Sequence, residues 1–181
     1  MRRLTQIANL HTVDKGTEHY EKHGYTEQYD LYIPETGEFT LVEIGIWHGD
    51  SLHMWNEYNP QLNIHGIDIN NDVYNYINES EKIKIYIGDQ SDEVFLKNVL
   101  NKSGSPDFII DDGSHNRSDI VNSFKVLYDH LADGGYYFIE DLHAGHAQVD
   151  EMYKDIMSIL SDKSYQNIEW LCNDKLLIIH K

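Results

Sequence analysis

The sequence predicts a doubly wound α/β sheet closed by a C-terminal antiparallel hairpin, and three observations carry that reading. Short apolar runs alternate along the chain with segments whose apolar residues recur at helical spacing. The runs are continuously apolar and stop at glycines or carboxylates, the pattern of parallel strands buried on both faces. Near the end, two further strand-like runs over 167–172 and 175–180 are separated only by Asn173-Asp174, a hairpin signal.

Residues 1–38 are polar and rich in Tyr and His. Leu4, Ile7, Ala8 and Leu10 give a weak helical spacing; Tyr20, Tyr25, Tyr29 and Tyr32 mark roughly one face of a second helix, which we expect to pack on the body of the domain. Between them lies the turn-like Asp14-Lys15-Gly16-Thr17; a sharper reading folds this turn over a ligand and makes residues 1–38 a lid. The first strand, 39–44, contains Glu43 and runs into Gly45-Ile46-Trp47-His48-Gly49-Asp50-Ser51, followed by a helix over 51–58. Strand, glycine turn and helix in that order let a ligand approach backbone that a Cβ would block. A second strand over 64–69 carries Asp68 at its end, about twenty residues past the turn, where an acid can hold the two hydroxyls of a ribose. The third strand, 83–89, ends in Asp89-Gln90 and leads to a helix over 93–100.

The fourth and fifth strands organise the chain. Phe108-Ile109-Ile110 ends in Asp111-Asp112, a tight Gly113-Ser114 turn and His115; Tyr136-Tyr137-Phe138-Ile139 ends in Glu140-Asp141. A helix over 117–131 joins them, and a loop over 142–146 and a helix over 149–160 lead to the closing hairpin, for seven strands in one domain over 1–181. If the two runs are neighbouring parallel strands, their carboxylates meet at the sheet edge where open α/β folds bind ligands. Crowded carboxylates raise one another's pKa unless a cation neutralises them, so a hard divalent metal is the economical explanation. Oxygen ligands favour Mg²⁺ over Zn²⁺.

Composition narrows the partners. With 31 acids against 14 bases, a formal charge of −17 repels nucleic-acid phosphates and anionic membranes, which argues against an extended polyanion as partner. The single Cys172 permits no internal disulfide, and neither the Met1-Arg2-Arg3 start nor any later run has the apolar length of a leader or a membrane span. The expectation is a cytoplasmic enzyme domain, and a homo-oligomer is compatible with it.

The Glu-x-Gly-x-x-x-Gly pattern of Glu43 to Gly49 resembles the first motif of class I S-adenosylmethionine-dependent methyltransferases, and the acids that follow come in that family's order. The resemblance implies a Rossmann-like sheet in which Glu43, Gly45, Gly49 and Ser51 bind S-adenosylmethionine, the two glycines under its methionine part. It gives Asp68 the ribose and Asp89 and Gln90 the adenine, with Asp111 facing the methionine end. Taken singly, each acid is as well read as a solvated strand end or a helix cap. A narrower resemblance rests on Ile110-Asp111-Asp112-Gly113-Ser114-His115 with Ile139-Glu140-Asp141-Leu142-His143, and on Asp14-Lys15-Gly16-Thr17. It is to the metal-dependent sugar O-methyltransferases of the mycinamicin type. By that resemblance Asp112, Glu140 and Asp141 ligate Mg²⁺, His115 is the general base, and the acceptor is a sugar or glycoside.

Elementary chemistry agrees. An aliphatic hydroxyl is a poor nucleophile at neutral pH, cation coordination lowers its pKa, and histidine is the side chain that titrates nearest neutrality. Two alternatives stand beside this reading: a catechol-like small-molecule O-methyltransferase, and a protein that binds S-adenosylmethionine without turnover. His143 and His146 border the expected acceptor mouth, as substrate contacts or as a solvated loop.

Overall fold

The computed structural model describes residues 3–11, 13–18, 22–142, 147–173 and 175–181. The elements, in chain order, are α1 (Arg3–Leu10), α2 (Thr26–Tyr32), β1 (Thr40–Ile44), α3 (Asp50–Tyr58), β2 (Asn63–Asp68), β3 (Ile83–Ile87) and α4 (Glu93–Ser103). They continue with β4 (Phe108–Asp111), α5 (Arg117–Leu127), β5 (Tyr136–Ile139), α6 (Ala147–Leu160), β6 (Asn167–Leu171) and β7 (Leu176–His180). Helix starts follow local chemistry. At α4, Asp92 accepts the backbone N–H groups of Val94 and Phe95 at 2.8 and 3.1 Å, satisfying two donors that the helix itself leaves free.

The seven strands form one sheet in the order β3-β2-β1-β4-β5-β7-β6. β1 to β5 are parallel, and β7 runs antiparallel to both β5 and β6. The doubly wound seven-stranded fold with its C-terminal antiparallel hairpin is therefore as the sequence implies. Register sets the site. Ile44 lies opposite Ile67 on one side and Asp111 on the other, and Asp111 lies opposite Ile139. The carboxyl ends of β1, β2, β4 and β5 thus form one edge, and the strand order reverses between β1 and β4, where ligand crevices open.

Apolar side chains cover both faces of the sheet. One layer joins Leu4 and Ile7 of α1, Tyr29 of α2 and Leu52 and Trp55 of α3 to Ile110 and Phe138; the other joins Leu96, Phe124 and Ile156 of α4, α5 and α6 to Ile109, Tyr137 and Ile139. Alternate residues of one strand feed opposite layers, as the strand period requires. Tyr25 and Tyr29 are fully buried, and Tyr29 meets Phe138 edge-on with ring centroids 4.8 Å apart. The tyrosine face does pack on the body of the domain, although the helix is confined to Thr26–Tyr32 and Tyr20 lies outside the described residues. The helix expected over 117–131 gives way to a 3-10 turn at Tyr128–His130. No helix among the described residues is long and apolar enough to cross a membrane.

His65 on β2 is almost fully buried, its Nδ1 3.0 Å from the Tyr86 hydroxyl. Burial, with the Lys84 ammonium nearby, lowers its pKa to about 4. Between that value and the unfolded value near 6.5 the unfolded chain binds a proton that the folded chain refuses, so this group's contribution is lost as pH falls through that window. Urea unfolding at pH 7 and pH 4.5 should differ on this account by at most about 3 kcal/mol. His65→Gln should flatten the slope; an unchanged slope in that variant would exclude the assignment.

Candidate active site

The site begins at the turn after β1. Gly45 has φ +81°, and a Cβ built on it would lie 1.9 Å from the Asp112 carbonyl oxygen, so only glycine lets the turn pass under the loop after β4. Asp68 shapes the same turn: its Oδ2 accepts the backbone N–H groups of Ile46 and Trp47 at 3.1 and 2.8 Å, and its Oδ1 accepts Asn70 N at 2.8 Å. Two cavities flank the turn. One of about 580 Å³ runs over the ends of β1, β2, β3 and β4, from Asp68, Asp89 and Gln90 to His115 and Asp141. The other, about 340 Å³, lies between the turn, Ser51 at the start of α3, and Val13, Asp14 and Lys15. Gly45, Trp47, Asp14 and Asp112 line both, and each cavity is of ligand size.

Asp112, His115 and Asp141 offer ligand atoms that all lie within 4.8 Å of one another. His115 Nε2 is 3.9 Å from Asp112 Oδ1. His115 and Asp141 both have left-handed backbones, with φ of 56° and 53°. Such strain in non-glycine residues gathers at functional sites, and here it turns both side chains toward Asp112. The Tyr25 hydroxyl donates to Asp141 Oδ1 at 2.7 Å, and His23 Nε2 lies 3.5 Å from the same oxygen.

The other member of each acid pair points elsewhere. Asp111 is buried on the α5 face, where the Ser123 hydroxyl donates to its Oδ2 and the Gln90 amide to its Oδ1 at 3.2 Å. Burial pushes its pKa up to about 6, against these bonds. Asp111 therefore does not face the crevice as the resemblance implies: strand alternation sends it to the opposite side from Asp112. Gln90 is half of that arrangement, since its Oε1 accepts Ser114 N at 2.8 Å and ties the end of β3 to the loop after β4. Asp89 Oδ1 accepts Ser91 N, and this bond holds its carboxyl below the usual range. Glu43, fully buried beneath the turn, accepts Trp55 Nε1 at 3.0 Å and lines neither cavity. Burial raises its pKa to about 7, against the pull of Lys15. Gly49, the residue of the turn just before α3, has φ +81° and packs on Ile77, which an added Cβ would meet at 2.7 Å.

Glu140, grouped by the resemblance with Asp112 and Asp141, turns inward. Its Oε1 accepts the Tyr29 hydroxyl at 2.5 Å and its Oε2 accepts Lys15 Nζ at 2.8 Å. Lys15 also donates to Asp112 Oδ2, and its Nζ lies 3.6 Å from Glu43 Oε1. Burial works to lower the Lys15 pKa, but Asp112, Glu140, Glu43 and Asp14 together hold it well above the usual ammonium range. Its reach into the acids is the part of the site that sequence reasoning missed; the one signal for it is the Asp14-Lys15-Gly16 turn. His143 and His146 lie outside the described residues.

With this geometry in hand, the comparisons with known proteins agree on a class. Residues 42–142 match the methyltransferase-domain family, and the chain belongs to it. It is 34% identical over 129 residues to the mycinamicin VI 2''-O-methyltransferase of Micromonospora griseorubida, an alignment covering 66% of this chain and 32% of the relative. It is 37% identical over 149 residues to a Streptomyces olivaceus tetracenomycin-C 3'-O-methyltransferase that acts on the 8-demethyl-8-(2-methoxy-alpha-L-rhamnosyl) compound, covering 77% and 36%. The chain thus spans about a third of the length of these curated relatives. Among solved structures, the MycE methyltransferase of mycinamycin biosynthesis in complex with Mg and SAH superimposes with a TM-score of 0.80 at 24% identity, over 98% of this chain and 54% of that one. At that identity the likeness is one of fold.

Removing the Tyr29 hydroxyl leaves a buried carboxylate oxygen short of a donor, a loss of about 2 kcal/mol for a charged acceptor. Tyr29→Phe should lower stability by about that amount in urea unfolding. Undiminished stability would mean that Glu140 does not depend on this bond.

Proposed function

We propose that this chain is an S-adenosylmethionine- and Mg²⁺-dependent O-methyltransferase acting on a hydroxyl of a sugar or related polar small molecule. The observation that carries this reading is the convergence of Asp112, His115 and Asp141 at the edge of the larger cavity. The two carboxylates fit a hard divalent ion, offering oxygen ligands with no thiolate beside them, and leave the imidazole free to act as a base. The glycine turn and the open strand ends beside it fit an elongated cofactor. The tetracenomycin relative, named for a rhamnosyl compound, and the mycinamicin VI 2''-O-methyltransferase support the acceptor class.

In this reading Asp112 and Asp141 hold the ion, and Tyr25 fixes the Asp141 carboxylate. Glu140 joins the ion's ligands only by sharing an oxygen with Lys15 or Tyr29, since each of its oxygens already accepts one of them. Bound together, the ion would acidify the acceptor hydroxyl and the sulfonium would supply the methyl group. His115, with its side chain partly open to the cavity, takes the hydroxyl proton at Nε2. Ser51, Gly45 and Asp68 line the two cavities on the cofactor side, with Asp89 and Gln90 at the far end. Their task is to hold oxygen and methyl in line, which is worth more than any single contact.

The test is methyl transfer from labelled S-adenosylmethionine to a panel of glycosides, nucleotide sugars and catechols. Turnover on a glycoside or nucleotide sugar should vanish with EDTA and return with Mg²⁺. His115→Ala should lower kcat by about 10²- to 10⁴-fold while leaving cofactor affinity unchanged. Full turnover in His115→Ala would remove the proposed base, and turnover on catechols alone would move the acceptor class. Cofactor binding without turnover on any acceptor would favour the non-catalytic binder.

A further inference from the structure

Lys15 is the cation that the described part of this acid cluster already contains. Its side chain is 2% exposed, and its ammonium lies against three carboxylates, bonded to Asp112 and Glu140 and 3.6 Å from Glu43. The turn that delivers it is stitched down rather than loose. Lys15 O accepts Thr26 N at 3.1 Å, Gly16 O accepts Gly24 N at 2.9 Å, and Asp14 O accepts His23 N at 3.1 Å. Gly16 passes so close to Asn9 that a Cβ there would lie 2.5 Å from its Oδ1. An ammonium pinned in this way is a fixed charge of the site, unlike a surface lysine that swings to whichever acid is nearest.

We infer that Lys15 is a resident counter-cation: it keeps Asp112 and Glu140 assembled before a divalent ion arrives, and it lowers the crevice's affinity for that ion. The inference rests on the metal-dependent reading above. The first half follows from like-charge repulsion. Asp112, Glu140 and Glu43 converge at low dielectric, and without a cation among them their carboxylates drive one another apart or take up protons. The second half follows from Coulomb's law, because a fixed positive charge bonded to a ligand carboxylate opposes a second positive charge on the same group. Tyr25 and Tyr29 hold Asp141 and Glu140 with neutral hydroxyls, so they position acids without adding charge. Charge and position can therefore be separated by substitution.

The experiment is a Mn²⁺ titration of the full chain, followed by electron paramagnetic resonance, without cofactor. Lys15→Met should bind Mn²⁺ about tenfold or more tightly than wild type. Lys15→Arg, which keeps the charge, should stay near the wild-type value. Unchanged or weaker binding by a folded Lys15→Met overturns the inference. If Lys15→Met is unfolded in buffer, refolding on addition of Mn²⁺, read by circular dichroism, supports the exchange of one cation for another; failure to refold overturns it. Mn²⁺ binding by Lys15→Met but not by wild type would uphold the inference and sink the metal dependence of the wild-type enzyme; binding by neither would sink both.

Discussion

Consecutive side chains leave a strand on opposite faces, and that alternation decides what each acid at the end of β4 and β5 can do. Asp112 follows the parity of Ile110, and Glu140 that of Phe138, so both emerge on the face covered by α1, α2 and α3, where Lys15 and Tyr29 wait. Asp111 follows Ile109 to the α5 face and becomes a buried bridge to Ser123 and Gln90. Parity alone would send Asp141 the same way. Its left-handed backbone breaks the alternation and returns the side chain to the cluster with Asp112 and His115. A strained residue at that position is thus the device by which one acid is moved from the wrong face to the useful one.

The fold was legible because its signals are local. Apolar runs that end in glycine or an acid, separated by helical spacing, predict a parallel sheet whichever layer each residue joins. Phe108 to Asp111 and Tyr136 to Ile139 are strands as read, and they pair in parallel with their acids at one edge. Helix ends were less legible: nothing local tells α5 to tighten into a 3-10 turn at Tyr128.

The site was legible in its residue types and only partly in its directions. Asp112, His115 and Asp141 meet as a cluster, and Gly45, Ser51, Asp68, Asp89 and Gln90 line the cavities beside it. Two properties stayed out of reach. A pair of adjacent acids reads as one feature in sequence, whereas Asp111 and Asp112 part company in space. The partners of Glu140 lie on a turn and a helix that carry no motif for that contact, and a buried ammonium looks in sequence like any solvated lysine. Crowded carboxylates asked for a cation, and the fold supplies one from its own chain.

The sequence separations within the cluster carry a further meaning. Lys15 meets Asp112 and Glu140 across 97 and 125 residues, and Tyr25 meets Asp141 across 116. Contacts of such span close only after the intervening sheet exists, because the loop entropy must be met before they return anything. The acid-bearing edge therefore depends on the whole sheet beneath it, and local structure alone cannot hold it together.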